Sequence, residues 1–123
     1  MTTSRCPLPD RRETTRQKLV IRTADGPWNL YVDVGQYDDG TPGELFMVVE
    51  KTGASMRALL DEVARGASSE LQHGVSIRVL VERWRATKFE PCGPVTGHPA
   101  VKFCSSPLDA VAQYLQAEYV KGD

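Results

Sequence analysis

Few residues of this 123-residue chain have the capacity for chemistry. Its histidines are His73 and His98, and its thiols are Cys6, Cys92 and Cys104. Proton transfer or nucleophilic attack requires a base held beside a nucleophile. Neither histidine stands in a pattern that arranges this, since Gly-x-Ser-x-Gly and His-Glu-x-x-His are both missing. His73 falls at the end of an expected helix, where a partly cationic ring suits the dipole. His98 falls among prolines in an expected loop, where it can meet a ligand or face water. The carboxylates are scattered over polar faces, so no catalytic pair is indicated. Cys92, His98 and Cys104, with Cys6 as a fourth ligand, are donors that zinc accepts. Their spacing matches no zinc motif, so no metal is expected. Three thiols without a Cys-x-x-Cys encode neither a disulfide framework nor a redox pair, and reduced cysteines fit a cytoplasmic setting.

Two segments could bind an anion or a base. Lys51-Thr52-Gly53-Ala54-Ser55 opens an expected helix. Free amides there, with the dipole and Lys51, favour phosphate; a plain cap with Ser55 satisfying the amides fits the same residues. The Gly-x4-Gly-Lys of a P-loop is not present. Arg57 lies in the first turn of that helix, as a phosphate contact or a solvated side chain. Arg83-Trp84-Arg85-Ala86-Thr87-Lys88-Phe89 is the densest basic and aromatic cluster. There Phe89 could stack a base while Arg85 and Lys88 pair with phosphate oxygens; Trp84 falls on an apolar stripe and reads as core. The candidate ligand set is therefore Lys51, Thr52, Gly53, Ser55, Arg57, Arg85, Lys88, Phe89 and His98. No catalytic residue, metal ligand or cofactor is expected.

The elements that must position these residues follow from hydrophobic periodicity. Residues 1–17 read as a basic N-terminal arm and residues 18–123 as one domain. Residues 18–22 form a first strand, followed by the turn dipeptide Asp25-Gly26. Trp28, Leu30, Val32 and Val34 alternate with polar neighbours, as a half-buried strand requires. Leu45, Met47 and Val49 repeat the pattern. Met56, Leu59, Leu60, Val63, Ala64, Ala67 and Leu71 recur at helical spacing, and Gly74 ends that helix. Ile77, Leu80, Val81 and Trp84 mark a second helix. Ser106-Pro107-Leu108-Asp109 caps a third, whose stripe is Leu108, Val111, Ala112, Leu115 and Tyr119, with Gly122 as its stop. Residues 89–99 read as one long irregular loop, a common place for function. The expected fold is α+β: a three-strand antiparallel meander covered by two to three helices.

Several ordered segments carry a resemblance. They are Leu8-Pro9-Asp10-Arg11-Arg12 followed by Thr15, residues 37–46 (Tyr-Asp-Asp-Gly-Thr-Pro-Gly-Glu-Leu-Phe), Lys51-Thr52-Gly53-Ala54-Ser55, Leu71-Gln72-His73-Gly74-Val75, Phe89-Glu90-Pro91-Cys92-Gly93 and Ser105-Ser106-Pro107-Leu108-Asp109-Ala110. In this order they resemble the TSCPD-type C-terminal domain of vitamin B12-dependent ribonucleotide reductases, from Leu8 onward. The chain departs from the family at His73, where an aromatic residue is usual, and in the Ser-Cys-Pro-Asp segment, where Ser106 precedes Pro107 and Leu108 is extra. The reductase barrel, its radical-carrying and cobalamin-binding regions and its redox cysteine pair have no counterpart in this sequence. The resemblance therefore implies architecture rather than reductase activity. A broader likeness is to small oligomeric phage proteins that neutralise Thoeris immune signalling by sequestering cyclic ADP-ribose-type messengers.

Bulk properties agree with a single globular domain: 41% hydrophobic, 25% charged and a net charge of −1. That charge gives no global pull towards nucleic acid or anionic membrane. No apolar run reaches the roughly 20 residues a membrane helix needs, and the first ten residues hold no signal-peptide stretch, so a cytoplasmic site is expected. Two functions follow. One is a non-catalytic protein that captures a nucleotide or nucleotide-derived signal, as a sponge, from a homo-oligomer that protects its sheet edges. The other is an accessory or split-off domain of a B12-dependent ribonucleotide reductase that docks on the reductase or on nucleic acid.

Overall fold

The computed structural model describes residues 4–50 and 52–120. Its elements run β1 (Thr14–Thr23), β2 (Gly26–Gln36), β3 (Pro42–Val49), α1 (Ala54–Gln72), α2 (Ile77–Arg85), β4 (Gly93–His98), β5 (Val101–Cys104) and α3 (Pro107–Tyr119). The strands form one antiparallel sheet in the order β3-β2-β1-β4-β5. This is the expected α+β class.

Period-two patterning sets the sheet's two faces. Leu19 and Ile21 of β1, Leu30, Val32 and Val34 of β2, and Leu45, Met47 and Val49 of β3 are all buried on one face. The register Leu19↔Leu30↔Val49 keeps them in rows, and a slip of one residue would turn every one of them outward. The helices cover this face. Leu60, Ala64, Ala67 and Leu71 of α1, Leu80, Val81 and Trp84 of α2, and Val111, Ala112 and Leu115 of α3 join the strand residues in one core cluster. Leu59, expected on the α1 stripe, is instead 64% exposed. At the C-terminus of α1 the Val75 amide donates to the Glu70 carbonyl at 2.9 Å and the Gly74 amide to that of Leu71 at 3.1 Å. Gly74, at φ +93°, supplies the left-handed residue that this stop needs. Gly122, expected to end the third helix, lies outside the described residues; α3 ends at Tyr119.

The sheet has five strands rather than three. Residues expected as a long loop contain β4, which pairs with β1 through Val20↔Thr96 and Ile21↔Val95, and β5 follows it as an edge. The pattern hid β4 because Pro94, Gly97 and His98 interrupt it and a bulge shifts its register between Pro94 and His98. Val95 and Gly93 are its only buried positions.

The N-terminal segment lies against the domain. β1 starts at Thr14, four residues before the expected strand, because Thr14 to Gln17 pair with Gly35 to Val32 of β2. Upstream of it, the Cys6 amide donates to the Gln72 carbonyl at 2.7 Å and the Tyr37 hydroxyl to the Cys6 carbonyl at 2.6 Å. Arg5 Nε bonds Gln72 Oε1 at 2.6 Å, and Leu8 is buried.

Gly97 is the glycine pressed most closely against a neighbouring strand's backbone. It has φ +116°, and a Cβ there would overlap the Lys18 carbonyl of β1. Gly97→Ala is therefore expected to part β4 from β1 and to cost about 3 kcal/mol, from strain and overpacking together. Gly26→Ala, at a similar φ but in open space, is expected to cost about 1 kcal/mol. Urea unfolding of the two variants measures the difference.

Candidate functional site

The start of α1 carries the first part of the candidate set. Gly53 is its N-cap, with extended backbone and no side-chain cap. Ser55 is exposed inside the first turn and does not cap, which corrects the capping alternative; the cap position is two residues earlier. Thr52 is half-buried, and Gly53 and Arg57 are exposed. Lys51 lies outside the described residues. Arg57 borders a shallow depression of about 300 Å³ with Met47, Val48, Val49, Ala58 and Asp61. Three residues before the cap stands a carboxylate, Glu50, which accepts from Asn29 Nδ2 at 3.0 Å and the Tyr31 hydroxyl at 3.4 Å.

Arg85, Lys88 and Phe89 sit elsewhere. Arg85 Nε donates to Asp109 Oδ1 at 2.9 Å. The other oxygen of that buried carboxylate accepts from the Ser105 amide and from Gln113 Nε2, both at 2.9 Å. Ser106, the N-cap of α3, accepts from the Asp109 amide at 2.8 Å and shares a hydrogen bond with the Thr87 hydroxyl at 2.7 Å. Ser105 Oγ donates to the Thr87 carbonyl at 2.9 Å, and the Phe89 amide to the Ser105 carbonyl at 3.1 Å. The segment after α2 is thus laced to the start of α3. Lys88 is exposed and Phe89 is 37% exposed. Trp84, read as core, is 4% exposed.

His98 occupies a third place. Its Nε2 lies 2.8 Å from Glu118 Oε2, and its Nδ1 accepts from the Ala100 amide at 3.1 Å. The ring meets Tyr114 edge-on at 5.5 Å. These contacts tie the end of β4 to the C-terminal half of α3.

The structure does not bring these groups together. α1 follows β3 and Phe89 pairs beside β5, and those strands are opposite edges of the sheet. Four strand spacings separate them, about 19 Å. A depression of about 620 Å³ lies between the β1–β2 turn and the segment before β4, lined by Arg22, Trp28, Pro91 and Cys92 among others. It takes in none of the candidate residues. His73, at the α1 C-cap as expected, bonds the Ser69 carbonyl through Nδ1 at 2.7 Å. Cys104 is buried while Cys6 and Cys92 are exposed. Among the described residues no three His, Cys, Asp or Glu side chains could hold a metal ion.

Sequence reasoning treated Asp109 only as a residue satisfying helix amides. Its role as acceptor for a side chain of α2 depends on a contact 24 residues away, for which no local pattern exists. The signal available was the Ser106-Pro107-x-Asp109 cap itself.

Fold and side-chain placement define a two-layer α+β module whose polar clusters tie its own elements together. The chain belongs to the TSCPD domain family, whose profile matches residues 3–119. It is 38% identical over 113 residues to the vitamin B12-dependent ribonucleotide reductase of Bradyrhizobium diazoefficiens, covering 92% of this chain and 9% of that protein. The same enzyme of Agrobacterium fabrum gives the same identity and coverage. That of Rhodopirellula baltica is 32% identical over 116 residues, covering 94% of this chain and 11% of that protein. The chain thus spans about a tenth of the length of these relatives. No solved structure matches. No described helix is long and apolar enough to cross a membrane.

The buried groups give this module a pH signature. Burial pushes the Cys104 thiol up to about 11 and the Tyr114 hydroxyl up to about 12. Both are neutral when protonated, so the folded state holds these protons more tightly than the unfolded chain. Their contribution is complete below pH 9, the ordinary thiol value, and is lost as pH rises through the folded values. The melting temperature is expected to fall between pH 9 and 11. At pH 8 a thiol reagent is expected to modify two cysteines of the native protein rapidly and the third only after denaturant is added.

Proposed function

We infer that the chain is a non-catalytic docking module of vitamin B12-dependent ribonucleotide reductase. The observation that carries this reading is 38% identity over 113 residues to a small part of such reductases. The side-chain contacts support it. Arg85 and His98, the candidates with most capacity to meet a nucleotide, are engaged by Asp109 and Glu118 of the same domain. The remaining described candidates are spread over two sheet edges. A domain that holds its polar groups in this way acts through its surface rather than through a reaction centre. Within one chain, the placement of Thr52, Arg57, Lys88 and Phe89 adds nothing to the reading as a nucleotide-capturing protein.

The test uses the full chain and a B12-dependent ribonucleotide reductase from the same cell that lacks, or has been trimmed of, its own TSCPD domain. The chain is expected to co-elute with the reductase, with a dissociation constant of roughly micromolar or tighter. Alone, it is expected to leave ribonucleotides unchanged. Failure to associate at tens of micromolar, about 6 kcal/mol or weaker, overturns the docking; turnover by the chain alone overturns its non-catalytic character.

A further inference from the structure

The helices cover one face of the sheet and leave the other bare. Its outward side chains stand in cross-strand rows set by the register: Phe46–Asp33–Arg16, Val48–Tyr31–Lys18, then Glu50, Asn29, Val20 and Thr96. Phe46 and Val48 are 46% and 43% exposed, which is unusual for large apolar residues side by side on one strand. Tyr31 lies between them and two cations, 5.0 Å from the Arg16 guanidinium and 5.8 Å from the Lys18 ammonium. Arg16 also pairs with Asp33 at 2.7 Å.

Charge divides this face along the strands. The outward residues of β1 include Arg16, Lys18 and Arg22 and no acid; those of β2 and β3 include Asp33 and Glu44 and no cation, and Glu50 directly follows β3. A polyanion would be repelled by half of such a surface. A second copy would not. A two-fold axis lying in the interface, parallel to the strands and between β1 and β2, turns the β1 of one copy over the β2 of the other, twice, and lays the Phe46 and Val48 of each copy over the other's β4. An isologous contact requires this self-complementarity. Four strands about 4.8 Å apart, each offering four outward rows, give roughly 500 Å² per copy, so the total sits near the lower limit for specific association.

We propose that the outer sheet face is the interface of a weak two-fold dimer of this chain, with the basic β1 of each copy set against the acidic β2–β3 side of the other. The proposal is independent of the reductase reading, because it concerns two copies of this chain alone.

Sedimentation equilibrium of the full chain, from about 10 μM to about 1 mM, tests it. The weight-average mass is expected to rise by roughly half over this range, from near that of the monomer towards that of the dimer. Phe46→Ser with Val48→Ser is expected to shift the transition at least tenfold higher in concentration, while circular dichroism reports an unchanged fold, because both side chains are exposed. Arg16→Glu and Asp33→Arg are each expected to abolish dimers alone and to restore them when the two variants are mixed, since each then supplies the charge the other lacks. A wild-type chain that stays monomeric overturns the proposal, as does one that instead binds single-stranded oligonucleotide through this face. Dimers that survive the Phe46/Val48 change, or single reversals that do not pair on mixing, also overturn it.

Discussion

The hydrogen bonds of the buried Asp109 carboxylate are the constraint on which the second half of the fold depends. Removing a carboxylate from water is costly unless its lone pairs are filled. Here one oxygen meets Arg85 of α2 and the other the Ser105 amide and Gln113. The carboxylate can be buried only where the end of α2, the end of β5 and the first turn of α3 coincide. Ser106 fixes that turn from the other side, and through Thr87 it draws in the segment after α2. With α3 so anchored, its inner residues close over Val101 and Cys104, and its far end meets His98 and, through Tyr119, Thr15 of β1.

How much of this was legible depended on the range of the interaction. The alternation of residues 28–34 and 45–49 and the helical stripes state which side of each element is buried, and the inner faces follow. Leu59 shows the limit: it fits the period but lies beyond the width that α1 presents to the sheet. β4 was illegible because a strand held by a glycine contact and a proline-bearing edge has no hydrophobic rhythm; its existence follows from pairing with β1. The closeness of residues 5–8 to α1 likewise rests on hydrogen bonds to Gln72 and Tyr37, made by the Cys6 backbone and the Arg5 side chain across sequence separations that no local pattern records. The family resemblance supplied the order of these segments, not their contacts.

The candidate site was legible in residue type but not in place. Basic and aromatic residues near a loop suggest a ligand when read along the chain. In the fold, Arg85 becomes the partner of a buried acid and His98 a link between a strand and a helix, while the start of α1 and Phe89 lie at opposite edges of the sheet. The matched relatives are about ten times longer than this chain. The polar residues of this module brace its own elements, and its sheet leaves one face open.

A thermodynamic cycle on Asp109 and Arg85 tests the central claim most directly. Arg85 is about half exposed, so Arg85→Ala is expected to cost only about 1 kcal/mol in urea unfolding. Asp109→Ala strands the Ser105 amide and Gln113 as well, and is expected to cost about 3 kcal/mol. The double variant is expected to be no less stable than Asp109→Ala alone, because Arg85 acts through that carboxylate. An Asp109→Ala protein as stable as the wild type within about 0.5 kcal/mol, or one in which the two losses simply add, would contradict the account.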